Sequence, residues 1–218
     1  EFANGLCWQD IRVLWGCCYE FERSLPYHSL AEALRTILPG LTAVELAGFP
    51  DWVLGEVARL VPEVLEKRPG LEVSPAKHSG QEQARLFDGV DRFLAGLSSS
   101  GALLIVLEDL HWASESTLQL AHYLARHLAD RSILLVGTFR PEAVGPEHPL
   151  RTLQRQLQRE GLCQPLRLSR LSSKVVVALV REMSGAGEEV LPLSERLYRE
   201  TEGNPLFVVE IARAVRRA

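Results

Sequence analysis

The sequence contains no run of about 18 or more uncharged apolar residues, so no segment of it is predicted to span a bilayer. Its first residues also lack the basic and then apolar layout of a signal peptide. The formal net charge is −4 and the basic residues are scattered, which leaves no basic patch for nucleic acid. We therefore expect a cytoplasmic location, no membrane partner and no direct nucleic-acid binding by this segment.

Motifs for metal and redox chemistry are also missing. The four cysteines show no CxxC spacing, and the six histidines form no HExxH. Free thiols are expected, with neither disulfides nor a zinc site. None of the 16 glycines is followed by lysine, so the phosphate-binding loop GxxxxGK, followed by Ser or Thr, does not occur in these 218 residues.

The composition that remains is that of a folded protein. Hydrophobic residues make up 46% of the chain and charged residues 24%, which is ordinary globular usage. A chain of 218 residues can form one α/β domain with a small helical appendage.

Apolar runs alternate with helical patterns over most of the chain. Ile11–Tyr19, Ala102–Leu107 and Ile133–Val136 are continuous apolar runs, typical of parallel strands that are covered on both faces. Five segments have helical spacing: Pro26–Leu38, Trp52–Glu66, Gln81–Leu97, Ser114–Ala129 and Leu150–Glu160. A further short strand is predicted near Pro165–Leu168. This order predicts an α/β fold with a parallel sheet.

The end of the chain differs, because only helices are predicted after Ser172. They are Ser172–Met183, Leu193–Glu202 and Pro205–Arg217. We therefore predict an α/β core over residues 1–170 and a small all-helical subdomain over residues 171–218.

The segment LLIVLEDLHWAS, residues 103–114, carries the strongest chemical signal. Its buried strand ends in Glu108 and Asp109, and parallel α/β sheets bind ligands at the carboxyl ends of their strands. One acid can hold hydrated Mg²⁺ while the next orients or deprotonates an attacking water. The alternative is that both acids only cap the following helix, where acids are favoured.

Within this segment, EDLHWAS resembles the Walker B region of bacterial signal-transduction ATPases with numerous domains, a branch of the AAA-like P-loop NTPases. LWGCCYEFERSLPYHSLAEALR, residues 14–35, is also similar to that family. The resemblance implies a three-layer αβα core with ATP and Mg²⁺ as cofactors. It assigns the metal to Glu108 and the attacking water to Asp109.

Two later motifs extend the resemblance. VGTFRPE is similar to the family segment with a sensor arginine, here Arg140, that contacts the γ-phosphate; a surface ion pair is the alternative. EGNPLF resembles the motif that packs over the adenine, which assigns Gly203, Asn204 and Pro205 to cofactor binding. The alternative for these three residues is an ordinary junction between two helices.

The missing phosphate-binding loop departs from the family. The opening letters EFA resemble the end of the helix that follows that loop, so we expect the loop to lie upstream of these residues. The hypothesis is an ATP-binding regulatory switch in a larger signalling or transcriptional regulator, in which this chain alone is inactive. Its partners would be ATP or ADP and the effector and sensor domains of the same polypeptide, with homo-oligomerisation left open. The alternative is an interaction scaffold that binds no nucleotide.

Overall fold

A computed structural model describes residues 11–73, 79–128, 130–184 and 191–217 of the chain, with only the backbone described at residues 79 and 215–217. The chain divides into two compact units, Glu1–Gln164 and Pro165–Ala218. The first unit combines a sheet with helices, and the described part of the second contains helices and connecting segments. The opening letters EFA lie outside the described residues.

The sheet of the first unit has three parallel strands. They are β1 (Arg12–Cys17), β2 (Leu103–Glu108) and β3 (Ile133–Gly137), in the spatial order β1-β2-β3. The register pairs Cys17 with Glu108, and Leu107 with Gly137, so all three strands end at the same edge. The three predicted apolar runs are therefore confirmed as neighbouring parallel strands.

Seven helices are described in the first unit. They are α1 (His28–Ile37), α2 (Ala43–Ala47), α3 (Asp51–Leu60), α4 (Glu63–Lys67), α5 (Ser79–Ser98), α6 (Glu115–His127) and α7 (Pro149–Arg159). The sequence predicts one helix over Trp52–Glu66, and the structure instead has α3 and α4. Pro62 separates them, because a proline inside a helix lacks the N–H for the backbone ladder and collides with the preceding turn.

One face of the sheet packs against the helices. Leu14, Leu103, Ile105 and Leu107 on this face belong to one buried cluster with side chains of α1, α3, α5 and α6. The opposite face forms a smaller cluster of sheet residues, in which Leu104 and Val106 are buried. The part of the chain that the structure describes thus provides a helical layer on one face, and the three-layer arrangement stays a prediction.

The second unit contains α8 (Ser173–Ser184), α9 (Leu191–Thr201) and α10 (Pro205–Arg217). Its own core includes Val176, Val180, Leu197 and Val208, each at most 1% exposed. Ala212 is also buried, and partly buried side chains such as Leu171 and Ile211 pack against these residues.

The predicted strand near Pro165–Leu168 is wrong. The structure assigns no strand to these residues, and Leu166 and Leu168 are 84% and 85% exposed. A strand is stable only when its backbone pairs with a neighbour, and Pro165 has no N–H with which to do so.

Among the helices in the described ranges, none is both long enough and apolar enough to cross a bilayer.

Gly16 allows β1 and α1 to approach closely, and we predict that Gly16→Ala destabilises the first unit. A Cβ on residue 16 would lie 1.8 Å from the Ser29 carbonyl oxygen, so strand and helix would have to separate. The free energy of unfolding should fall by about 1–3 kcal/mol, as for other overpacked sites. Urea unfolding followed by circular dichroism measures this change.

Gly40→Ala is the matched control, because a Cβ there meets nothing within 4 Å. We expect it to change the free energy of unfolding by no more than about 0.5 kcal/mol. Equal effects of the two substitutions would contradict the close approach of β1 to α1.

Candidate functional site

Glu108 is the last residue of β2, and its carboxylate contacts β1. Trp15 Nε1 donates to Glu108 Oε2 over 3.2 Å, and Cys17 Sγ donates to the same oxygen over 3.4 Å. Because side chains alternate along a strand, Glu108 lies on the sheet face that carries Val106 and not on the helix-covered face. Both contacts end on Oε2, and Oε1 has no partner among the described residues. One oxygen of the carboxylate is therefore fixed by two contacts from β1.

Cys17 acts here as a neutral donor. Burial, together with the neighbouring Glu108, raises the pKa of the Cys17 thiol above its ordinary value. The thiol consequently keeps its proton near neutral pH, and this proton is available to the carboxylate.

Asp109 follows directly but has different surroundings. Its φ of 53° and ψ of 43° lie in the left-handed region, which aspartate tolerates better than most residues. The N–H of Asp109 donates to Thr138 Oγ1 over 3.2 Å, and the N–H of Leu110 donates to the Thr138 carbonyl over 2.8 Å. Since Thr138 comes just after β3, the third strand holds this turn. The Asp109 side chain remains 36% exposed.

The alternative in which the two acids cap the next helix is wrong. Ser114 occupies the N-cap position of α6, and its Oγ accepts from the Thr117 N–H over 3.2 Å. Asp109 precedes the short 3₁₀ turn Leu110–Trp112, but its side chain makes no capping hydrogen bond. Neither carboxylate therefore caps the start of a helix.

Arg140 lies three residues beyond β3, at the same edge of the sheet as the acids. Its backbone N–H donates to His111 Nδ1 over 3.5 Å, and its Cζ lies 5.9 Å from the centre of the Trp112 ring. In the part of the chain that is described, no carboxylate forms an ion pair with the guanidinium. The surface ion pair that the sequence leaves open is thus not found there, and the guanidinium is available to an anion.

His111 connects Asp109 with Arg140. Its side chain is 1% exposed, and its Nδ1 lies 3.7 Å from Asp109 Oδ1. Its carbonyl oxygen accepts from His148 Nε2 over 3.1 Å. The sequence alone indicates only a supporting or merely polar role for His111. No periodicity or spacing points to its central place, because its contacts come from residues 29 and 37 positions further along the chain.

The Gly203-Asn204-Pro205 junction is described within the second unit alone. Thr201 ends α9 and Pro205 begins α10, which confirms the predicted junction between two helices. Asn204 Oδ1 accepts from the Leu206 N–H over 3.1 Å and so caps α10. The role of the three residues toward adenine stays a prediction.

The family model of the AAA ATPase domain matches residues 1–136. The match covers more than half of the 218 residues, so the chain belongs to the AAA ATPase domain family. No curated protein and no solved structure gives a significant match. AAA domains are nucleotide-binding modules that generally take ATP with Mg²⁺. Glu108 and Asp109 lie inside the matched residues, whereas Arg140 and Gly203 lie beyond them.

Gly203 has two constraints that other residues cannot meet, and we predict that Gly203→Ala destabilises the second unit. Its φ is +76°, and a Cβ would lie 2.0 Å from the Leu171 carbonyl oxygen. The left-handed backbone alone costs a non-glycine residue about 1–2 kcal/mol, and displacing Leu171 adds to that cost. Thermal unfolding followed by circular dichroism measures the loss.

Gly161→Ala separates the two effects, since Gly161 has a φ of +70° but a Cβ there would meet no atom within 4 Å. Its loss of stability should therefore reflect only the cost of placing a non-glycine residue in the left-handed backbone region. An equal or larger loss for Gly161→Ala would contradict the importance of the Leu171 contact.

Proposed function

We propose that the chain is the main part of an ATP-binding regulatory switch of the signal-transduction ATPase type, within a larger signalling or transcriptional regulator. One observation carries the proposal. The carboxylates of Glu108 and Asp109 cap no helix, have different surroundings and lie at the carboxyl edge of a parallel sheet. The Arg140 guanidinium, which has no ion-pair partner among the described residues, lies beyond the neighbouring strand at the same edge. This edge is where parallel α/β sheets bind ligands.

Glu108 fits the role of the Mg²⁺ ligand. Mg²⁺ is usually held by one or two carboxylates, waters and phosphate oxygens, rather than by a full set of protein ligands. The described residues contain no cluster of three or more metal-ligating side chains, so Glu108 would be a single protein ligand. Trp15 and Cys17 hold Oε2 and leave Oε1 for the metal. When bound, Mg²⁺ would neutralise negative charge on the phosphates.

Asp109 fits the role of the acid that orients and deprotonates water. Its carboxylate is partly exposed, and the turn that carries it is held by two hydrogen bonds to Thr138. Arg140 fits the role of the sensor, because a guanidinium binds phosphate oxygens through paired hydrogen bonds. It would detect the γ-phosphate, the group that hydrolysis removes.

On this proposal the phosphate cradle would come from residues outside this sequence, because GxxxxGK is absent from it. In the intact protein, effector and sensor domains of the same polypeptide would respond to the ATP or ADP state, and Gly203, Asn204 and Pro205 would pack near the adenine. The missing pattern also favours a second candidate, an interaction scaffold on the same fold that binds no nucleotide.

We predict that the 218-residue chain alone binds Mg·ATP weakly or not at all. It provides a metal ligand and a sensor but lacks the backbone nest and lysine that hold phosphates. Isothermal titration calorimetry of the chain is the measurement, with a longer protein that contains the phosphate-binding loop as the comparison. A micromolar dissociation constant for the chain alone would contradict this prediction.

In such a longer protein, we predict that Asp109→Asn lowers ATP turnover by a factor of about 100 or more while ATP binding is nearly unchanged. Asparagine tolerates the left-handed backbone at this position, so the substitution removes the base without straining the turn. Turnover at saturating ATP and the dissociation constant are measured together. Glu115→Gln, an exposed acid in the first turn of α6, is the control and should leave both unchanged.

Glu108→Gln and Arg140→Ala should give different results in the same protein. Glu108→Gln weakens the metal contact, so both binding and turnover should fall. Arg140→Ala should lower turnover and reduce the difference between ATP and ADP affinity. Hydrolysis unaffected by Asp109→Asn, together with equal ATP and ADP affinity in the unmodified protein, would favour the scaffold.

A further inference from the structure

His111 Nδ1 lies between two groups that need opposite protonation of the same atom. The backbone N–H of Arg140 points at Nδ1 over 3.5 Å and requires a lone pair there. Asp109 Oδ1 lies 3.7 Å from Nδ1, just beyond hydrogen-bonding distance, and a hydrogen bond between them would need a proton on Nδ1. A ring nitrogen is either a donor or an acceptor, so these two contacts exclude each other.

The imidazole is neutral near neutral pH. Burial lowers the pKa of His111 below its ordinary value, and the negative charge of Asp109 opposes this shift. The other charged or titratable groups that face the ring act in the same direction as burial, and they are Arg140, Arg23 and His148. A neutral imidazole carries one ring proton, on either Nδ1 or Nε2.

We propose that His111 is a tautomer switch that couples the Arg140 loop to Asp109. When the proton is on Nε2, Nδ1 accepts from Arg140 and Asp109 is free. When the proton is on Nδ1, the ring donates to Asp109 and the Arg140 N–H is released. Transfer of the proton between the two nitrogens needs water to reach the ring transiently, because the side chain is 1% exposed, and it leaves the net charge of the ring unchanged. Only the role of Asp109 toward water rests on the proposed function.

Neither arrangement satisfies every polar group. Nε2 is buried and has no partner among the described residues, so the Nε2–H tautomer leaves a buried donor unpaired. The Nδ1–H tautomer gains a charge-assisted bond to Asp109 but leaves the Arg140 N–H without an acceptor. Each tautomer therefore makes one hydrogen bond and leaves one polar group unpaired. Their populations are therefore sensitive to a ligand that contacts either Asp109 or Arg140.

The remainder of His111 is held in place. Its carbonyl oxygen accepts from His148, and its ring packs against Trp112 with centroids 4.4 Å apart. Trp112 also lies beneath the Arg140 guanidinium. Backbone and ring are thus restrained to small movements, and a small movement of the ring or of the exposed Asp109 side chain would bring Nδ1 within hydrogen-bonding distance of Oδ1.

The test uses the ligand-free 218-residue chain with ¹⁵N-labelled histidine. Nitrogen NMR of the imidazole gives the proton position, and amide hydrogen exchange gives the protection of the Arg140 N–H. In the unmodified chain we expect ring shifts between those of the two tautomers. Asp109→Asn should move the proton toward Nε2 and slow Arg140 exchange several-fold, because the carboxylate that favours Nδ1–H is gone.

Glu108→Gln is the matched control, since it removes one negative charge from the adjacent residue. Its carboxylate contacts Trp15 and Cys17 and not His111, so we expect no change in tautomer or in Arg140 exchange. Equal changes for Glu108→Gln and Asp109→Asn would overturn the proposal. A single tautomer that Asp109→Asn does not alter would also overturn it.

His111→Phe provides a second comparison, because it keeps an aromatic ring against Trp112 and removes both nitrogens. Arg140 exchange should become faster and should no longer respond to Asp109→Asn. If this variant fails to fold, the unmodified chain and Asp109→Asn still decide the question. No nucleotide is present in these measurements, so a positive result stands even if a longer protein fails to hydrolyse ATP, and a negative one leaves that activity untouched.

Discussion

The position of β2 between β1 and β3, with its apolar side chains buried, is the constraint on which the first unit depends. Its first five residues are buried, and full burial of each large aliphatic side chain contributes about 1.5–3 kcal/mol. Its backbone groups pair on both sides with parallel neighbours, which is how buried polar backbone is satisfied. Because all three strands end at one edge, this burial also determines where Glu108 and Asp109 leave the sheet. The site is therefore a consequence of the core.

Contacts from each side of β2 fix the position of one of the two acids. β1 holds Glu108 through Trp15 and Cys17, while Thr138 beyond β3 holds the turn of Asp109. The acids are adjacent in sequence, yet they differ in direction, in partners and in backbone conformation. Such a difference allows two chemically similar groups to take different roles, one toward a metal and one toward water. His111 adds a link from the second acid to the loop of Arg140.

The chain belongs to the AAA ATPase domain family, but its sequence lacks the phosphate-binding pattern GxxxxGK. The chain has a carboxylate edge and a free guanidinium, which serve the metal, the water and the γ-phosphate in our proposal. It has no sequence that would hold the remaining phosphates.

The strands of the first unit were predictable from the sequence, because a run such as LLIVL has few alternatives to a buried strand once helices surround it. The junction at Gly203 and Pro205 was also predictable, since backbone restrictions of these residues are local, whereas the same signal at Pro62 was missed. The strand near Pro165 was wrong because strand formation depends on a partner, and a short apolar pattern contains no information about one. The contacts of Glu108 to β1 and the place of His111 were decided only by tertiary structure. They arise between residues that are 29 to 93 positions apart, and their geometry depends on sheet register and loop path, which no local pattern records.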